Sequence, residues 1–399
     1  VIFVQRLDCM VNIIKYPPAF ILSGMPAWFV VDIGSALEPE NKITATIHCD
    51  SQQVGQDHAY ASLDGKAYFE LSEFFDAAIT PNFTQIGETS QIVTLDSFGS
   101  SRLSKTFTVT FTDKDNNSDH VTITAVKGRM TPDAIAKLNY GIGTTSIKNY
   151  LESSQGFLTT RPDRIKVRYA DQPERLSFAI HSAYLEGGDI DLVRTLHLAD
   201  GSTQSSVIAT LPSPTLGDVF QIRTSYKSLV ALQIQQDPDN PVLEYHVQLI
   251  RSGSPLSKVI RYEVDFSARE PESFIWLNCM GGFDTFCPTG VKETEYSSER
   301  NITPLVPVPG FKLPSYLLSD TSESAEMLCN TGFVDLETLN WLSQLIFSRQ
   351  AYKIGGQAAP VPIICTKNSL SVNHHSDNLL SASFRYVLNH PAMVEEFDK

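Results

Sequence analysis

The 399-residue chain is short of charge, short of cysteine and without a long apolar run. Only 19% of its residues are Asp, Glu, Lys or Arg, where roughly a quarter is usual. Those charges lean acidic: 31 Lys and Arg stand against 45 Asp and Glu, for a formal net charge of −14. Contacts to a phosphate backbone need a basic stripe or run, and none occurs. This argues against nucleic acid and against anionic membrane surfaces as partners. No stretch approaches the ~20 uninterrupted apolar residues of a spanning helix. The most apolar stretch, Tyr16 to Val31, is interrupted by Pro17, Pro18, Ser23, Gly24 and Pro26, and reads as two short strands around a turn. No basic opening followed by an apolar run and a cleavage site is present, so secretion is not inferred.

The six cysteines, Cys9, Cys49, Cys279, Cys287, Cys329 and Cys365, are scattered and form no C-x-x-C. A disulfide scaffold would place more of them closer together, and zinc sites use short-spaced ligand pairs that this chain lacks. Thiols in a reducing compartment are the expectation. A bridge between Cys279 and Cys287 across a hairpin is the alternative that their spacing leaves open. Nucleophile elbows, H-E-x-x-H helices and Walker loops are also missing. The glycine clusters Gly141-Ile142-Gly143 and Gly281-Gly282 lack the Lys and following helix that a phosphate cradle needs. No catalytic, cofactor-binding or metal-binding residue is therefore named. The chain is expected not to be an enzyme, with a hydrolase built on carboxylates distant in sequence as the exception a motif search would miss.

What the sequence does contain is strands. Apolar residues make up 42%, enough for packed cores. Lys42–Cys49 reads KITATIHC, Lys105–Thr112 reads KTFTVTFT and Val121–Val126 reads VTITAV. Each alternates apolar with polar, the period of a half-buried strand. The polar segment Asp113–His120 between the last two predicts a hairpin tip. A second hairpin is expected over Ala59–Leu71, around Asp64-Gly65. After Thr131-Pro132, a helix-start pair, and a second helical stretch over Thr145–Ser153, strands resume near Ile165 and continue to Phe266. The pattern predicts a mainly β protein. Two tandem antiparallel β-sandwich modules of immunoglobulin/fibronectin type would cover 1–130 and 161–270, joined by a short helical connector over 131–160. A smaller α+β module would fill 271–399. In that last part Asp335–Ser348 is the strongest helix, with Asp335 as N-cap and an apolar stripe of Leu336, Leu339, Leu342, Leu345 and Ile346. The proline-rich Ile302–Pro314 reads as an extended arm.

Each local cluster has a plain structural reading. Asp113–Asp119 resembles the opening of a calcium-binding loop, but Ser118 stands where Gly is needed, Thr124 where Glu is needed, and strands flank it. A solvated turn is expected. His374-His375, the lone histidine pair, has only Asp377 close by and reads as a polar loop. The sequons at Asn82, Asn116 and Asn301 matter only in a secretory pathway. Of the three tryptophans, Trp28 and Trp276 lie in strand patterns and are expected in cores, while Trp341 sits one residue off its helix stripe and could face a neighbouring module or subunit.

Three segments carry a resemblance. Gly156–Phe178 reads GFLTTRPDRIKVRYADQPERLSF, Phe274–Gly290 reads FIWLNCMGGFDTFCPTG, and Asn330–Tyr352 opens NTG and ends FSRQAY. In this order they resemble large β-sandwich proteins of unassigned function encoded in phage and prophage-like regions of gut bacteria, departing from them at Cys279 and Cys287. The resemblance implies a virion- or tail-associated structural component, made in the bacterial cytoplasm and found in the assembled particle. Its partners would be other copies of itself and neighbouring assembly proteins. Gly281, Gly282 and Asp284 would set a turn at the entry of the final module, and Trp341 is the further interface candidate. No catalytic residue carries over. The rival expectation is a carbohydrate-binding surface protein or an accessory module of a glycan-degrading system. That reading requires aromatic rings exposed on one sheet face, flanked by Asp, Asn or Gln.

Overall fold

The computed structural model describes residues 11–33, 42–81, 92–95, 103–130, 156–168, 172–180, 188–211, 217–234, 237–266, 272–304, 316–355, 360–366, 371–376 and 379–388. The expected connector helices at Thr131-Pro132 and Thr145–Ser153 lie outside these residues, as does most of the expected Ile302–Pro314 arm. The protein is mainly β, with several antiparallel and mixed sheets and few helices. Its contacts divide the chain into two units: residues 1–269 with 277–285, and residues 270–276 with 286–399.

In the first unit, the alternating strands predicted from sequence form as expected. A five-stranded sheet runs in the order Phe20–Leu22, Ser118–Val126, Ser104–Thr112, Lys42–Cys49, Gln52–Tyr60. A three-stranded sheet runs Asn12–Lys15, Trp28–Asp32, Lys66–Glu70. The inward residues of both meet in one apolar core, where the Phe111 ring lies 5.4 Å from Phe29 and 5.1 Å from Phe69, centroid to centroid. A short helix, α1 (Ser72–Ala78), adds Phe75 against Phe107 at 4.8 Å. The hairpin expected around Asp64-Gly65 is corrected here. The turn forms, with Gly65 at φ +76°, but its two strands belong to different sheets. It is a corner that carries the chain across the core.

The rest of this unit is built on a mixed sheet in the order Arg164–Arg168, Ile260–Asp265, Val242–Arg251, Ile190–Leu198, Thr203–Leu211, and on a three-stranded sheet in the order Arg175–Ala179, Val219–Arg223, Val93–Leu95. They too share one core. Two features depart from an all-antiparallel expectation. Arg164–Arg168 pairs in parallel with Ile260–Asp265, and Phe20–Leu22 pairs in parallel with Ser118–Val126. The strand Val93–Leu95, early in sequence, pairs with Val219–Arg223 more than a hundred residues later, so consecutive sequence does not stay within one stack.

The second unit is built around a sheet in the order Glu272–Leu277, Ala351–Gly355, Val361–Cys365, Leu379–Leu388, Tyr316–Asn330, Lys292–Pro304, with Ser371–Ser376 also pairing with Leu379–Leu388. The predicted helix is present as α2 (Leu336–Phe347), and the Asp335 carboxylate accepts from the Thr338 amide at 2.7 Å, as the N-cap reading requires. Its buried face is rotated from the predicted stripe: Leu336 is exposed, and Trp341 is buried beside Leu339, Leu342, Leu345 and Ile346.

Candidate functional site

Parts of the first two segments that carried the resemblance, far apart in sequence, meet in the first unit. Asn278 shapes the Gly281-Gly282 turn. Its side-chain carbonyl accepts from the amides of Met280 (2.9 Å) and Gly282 (3.0 Å), and its amide group donates to the Leu158 carbonyl at 2.8 Å. Gly281 has φ +86°, and a Cβ there would lie 1.8 Å from the Lys127 carbonyl oxygen. Only glycine fits such a position. A Cβ at Gly282 would lie 2.5 Å from the Leu158 carbonyl oxygen. The turn is thus held between Lys127 on one side and Leu158 on the other.

Asp284 follows, buried, and accepts from the Thr159 hydroxyl at 2.8 and 3.0 Å. Thr159 Oγ1 accepts in turn from the Arg161 amide at 3.1 Å. The Arg161 guanidinium donates to Glu174 at 2.9 Å, both side chains being 0% exposed. Gln172 donates to the other Glu174 oxygen at 2.6 Å. The guanidinium lies 5.6 Å from the centroid of the Tyr262 ring, which stacks on Tyr245 at 4.8 Å and 13°. Burial pushes the Arg161 group toward losing its proton, but Glu174, with Tyr262 and Asp284, holds it up more strongly, so its pKa is raised. Burial pushes the Glu174 carboxyl up, and Arg161 pulls it back. The arrangement is a sealed ion pair in which both Glu174 oxygens accept from protein groups, while Arg161 Nε meets no acceptor. It locks three chain segments together.

A smaller joint of the same kind sits in the second unit. The Asn330 side chain donates to Ser383 Oγ at 2.9 Å and accepts from the Gly332 amide at 2.9 Å. The Thr331 carbonyl accepts from the Thr289 amide at 3.1 Å. The T-G of the second segment is thereby tied to the N-T-G of the third. Trp341, expected to be able to face a neighbour, is 2% exposed and packs at 5.0 Å from Trp276 and 6.2 Å from Phe286.

The other sequence candidates resolve into local structure. Asp113 Oδ1 accepts from the amides of Asp115 (2.9 Å) and Asn117 (2.8 Å), and Oδ2 accepts from the Asn117 side chain (2.9 Å). The carboxylate is used to close its own turn. Among the described residues no group of three or more His, Cys, Asp or Glu is arranged to hold a metal ion, and Cys49, Cys279, Cys287, Cys329 and Cys365 form no disulfide. His374 and His375 lie in the strand Ser371–Ser376, not in a loop. The core placement expected of Trp28 is corrected. Its neighbours Phe29 and Val31 take the inward positions, and at a period of two Trp28 must face out. It is 48% exposed.

Sequence reasoning missed the buried cluster because its members are polar residues and Asp284 joins Thr159 from more than a hundred positions away. It also missed the second polar group of the mixed sheet's outer face, where His197 Nε2 lies 3.2 Å from His246 Nδ1 and His246 Nε2 lies 2.7 Å from Glu244.

No protein-family model matches the chain, and no curated protein matches it. Among solved structures, it is similar to the tail of an empty GTA particle, at 17% identity over 29% of this chain and 90% of that one, with a TM-score of 0.22. It is also similar to the plexin A4 extracellular region, at 11% identity over 94% of this chain and 45% of that one, with a TM-score of 0.20. Latent PorU from Porphyromonas gingivalis matches at 10% identity over 96% of this chain and 32% of that one, with a TM-score of 0.19. These similarities assign the chain no role. No helix among the described residues is long and apolar enough to cross a membrane.

Proposed function

We propose that the chain is a non-enzymatic assembly or attachment component of a phage-like particle. In this reading two tandem sandwiches of immunoglobulin/fibronectin type form the body, and the final module makes contacts with other copies and with neighbouring assembly proteins. The observation that carries it is the hairpin of Lys292–Pro304 and Tyr316–Asn330. Its base is held in a sheet, because Met327–Asn330 pairs with Leu379–Leu388. From Glu295 opposite Glu326 to Pro304 opposite Tyr316 the two strands pair only with each other among the described residues. At about 3.3 Å per residue that is an arm of roughly 30 Å. A lone two-stranded ribbon is marginal in water, and its open edges are templates for another chain. Such an arm is stabilised when a partner covers it.

The base of the arm is built to hold. Two carboxylates face each other across the ladder, Glu295 and Glu326, and Arg385 donates to both, at 2.9 and 2.8 Å. Like charges directly opposite would otherwise weaken the pairing. The buried state of Glu174 and Asp284, each bound to protein groups, favours scaffolding over hydrolysis by distant carboxylates.

The test is deletion of residues 300–314, followed by mass measurement in solution. The expected result is a defined oligomer for the intact chain and its loss in the deletion, with circular dichroism retaining the β signal. An unchanged mass after deletion, or a strict monomer before it, counts against the proposal.

A further inference from the structure

The outer face of the sheet Asn12–Lys15, Trp28–Asp32, Lys66–Glu70 carries exposed aromatic rings. The inner face of its two longer strands is filled by Phe29, Val31, Ala67 and Phe69, each at most 1% exposed. The outer face presents Trp28, Val30 and Asp32 from one strand and Glu70, Tyr68 and Lys66, respectively opposite them, from the next. Trp28 is 48% exposed and Tyr68 52%. Because Trp28 faces Glu70 and Tyr68 faces Val30, the two aromatic residues are diagonal neighbours, about 7–8 Å apart by strand geometry. The Glu70 carboxylate beside Trp28 is fixed: its Oε1 accepts from the amides of Ala27 (2.9 Å) and Ser72 (3.1 Å). The centre of the five-stranded sheet in the same unit is different. Thr44, Thr46, Thr108 and Thr110 occupy its outward positions.

Half-exposed aromatic rings side by side mark a contact surface. The charges around them identify its chemistry. At the centre of a protein–protein interface charged residues are depleted and gather at the rim. Here Glu70 lies directly opposite Trp28 and next to Tyr68 on its strand face, and the Asp32–Lys66 pair follows one step beyond Tyr68. A ligand for this face must change from apolar to hydroxylated within one ring width. A pyranose with equatorial hydroxyls does so: its C–H face lies flat on an aromatic ring, and its edge offers hydroxyls to carboxylates and ammonium groups. Two diagonal rings on one sheet face take two sugar units of one chain.

We infer that this face binds a β-linked hexopyranose chain, with Trp28 and Tyr68 as the stacking platform and Glu70 as a hydroxyl acceptor. The inference does not depend on the assembly proposal. The chain contains three tryptophans, and Trp276 and Trp341 are 0% and 2% exposed, so solvent-dependent emission reports Trp28. The probes are cellohexaose and chitohexaose, added to the full chain. The expected result is a saturable blue shift with protection from acrylamide quenching for at least one of them. By calorimetry, W28A and Y68A should each weaken that binding at least tenfold while leaving the β signal intact. The inference fails if neither hexasaccharide alters Trp28 emission at millimolar concentration, or if W28A and Y68A bind as the parent does. It fails equally if W28A changes the oligomer mass, since the face is then a protein contact. Deleting residues 300–314 should leave sugar binding unchanged, which separates this outcome from the fate of the assembly proposal.

Discussion

Of the arginines buried in the first unit, Arg161 and Arg194 meet opposite circumstances. Arg161 is 0% exposed and faces Glu174 at 2.9 Å, with Gln172 on the far carboxylate oxygen. Arg194, 6% exposed on the strand Ile190–Leu198, has no carboxylate partner among the described residues. Its guanidinium donates to the Leu229 carbonyl and, at 3.1 Å, to Ser206 Oγ, while Nε meets no acceptor. Burial alone lowers its pKa. The Leu229 carbonyl belongs to a single π-helical turn, Lys227–Ala231. The difference teaches what each buried charge is for. A paired cation ties together segments that the chain separates, and its removal strands an anion. A cation without a counter-ion carries a desolvation cost that its two hydrogen bonds offset only in part.

The largest effect is therefore expected at the paired site. R161M leaves the Glu174 carboxylate buried without its counter-ion, and should cost about 3–5 kcal/mol, read as a drop in the urea midpoint. Replacing both partners together, as R161M/E174L, should recover part of that loss. If R161M costs no more than about 0.5 kcal/mol, the range of an ordinary surface change, the pair is not a lock. R194M should do the opposite. With a similar length and no charge to desolvate, it should leave stability unchanged or raise it by about 1–4 kcal/mol. A clear loss would mean that the bonds to Leu229 and Ser206 hold the π-turn in place, and the contrast between the two arginines would collapse.

The smallest effect concerns exposed carboxylates, which show what hydrogen bonding does without burial. The Ser62 hydroxyl, with Lys66 contributing, holds Asp64 below the ordinary 3.8, and the Ser202 hydroxyl and amide do the same for Asp200. A lowered folded-state value means that the contribution to stability is present above about 3.8 and is lost as the pH falls through the lowered value. D64N and D200N should each lower stability slightly at neutral pH and weaken the dependence of stability on pH below about 3.8. Unchanged stability at neutral pH would show that the turns depend on the carboxylate's shape, which Asn keeps, and not on its charge.

Much of the architecture was legible because its signals are local. The alternation in KITATIHC and KTFTVTFT yields strands with every second residue inward. The cap at Asp335 was readable from one residue and its position. The corner at Gly65 was half legible: its turn chemistry is local, but the sheet that each flanking strand joins is not. Trp28 was misplaced although the period of two was correct. The phase of that period was decided by Phe29 and Val31, and a strand whose residues are nearly all apolar does not announce its inward face. The segments FLTTRP, QPERL and GGFDT were visible as unusual strings, yet nothing local showed that Thr159, Arg161, Glu174 and Asp284 would meet.

By itself, then, the amino-acid sequence determined a mainly β protein with one strong helix, thin in charge and without a basic run. Those properties follow from side-chain periodicity and composition, which act over a few residues. Tertiary structure alone decided which strands share a sheet, which polar residues are sealed in pairs, and which aromatic rings are left in solvent. Each of these depends on segments brought together across long stretches of chain. The free energy of such contacts comes from burial and partner geometry, and neither exists until the chain has folded.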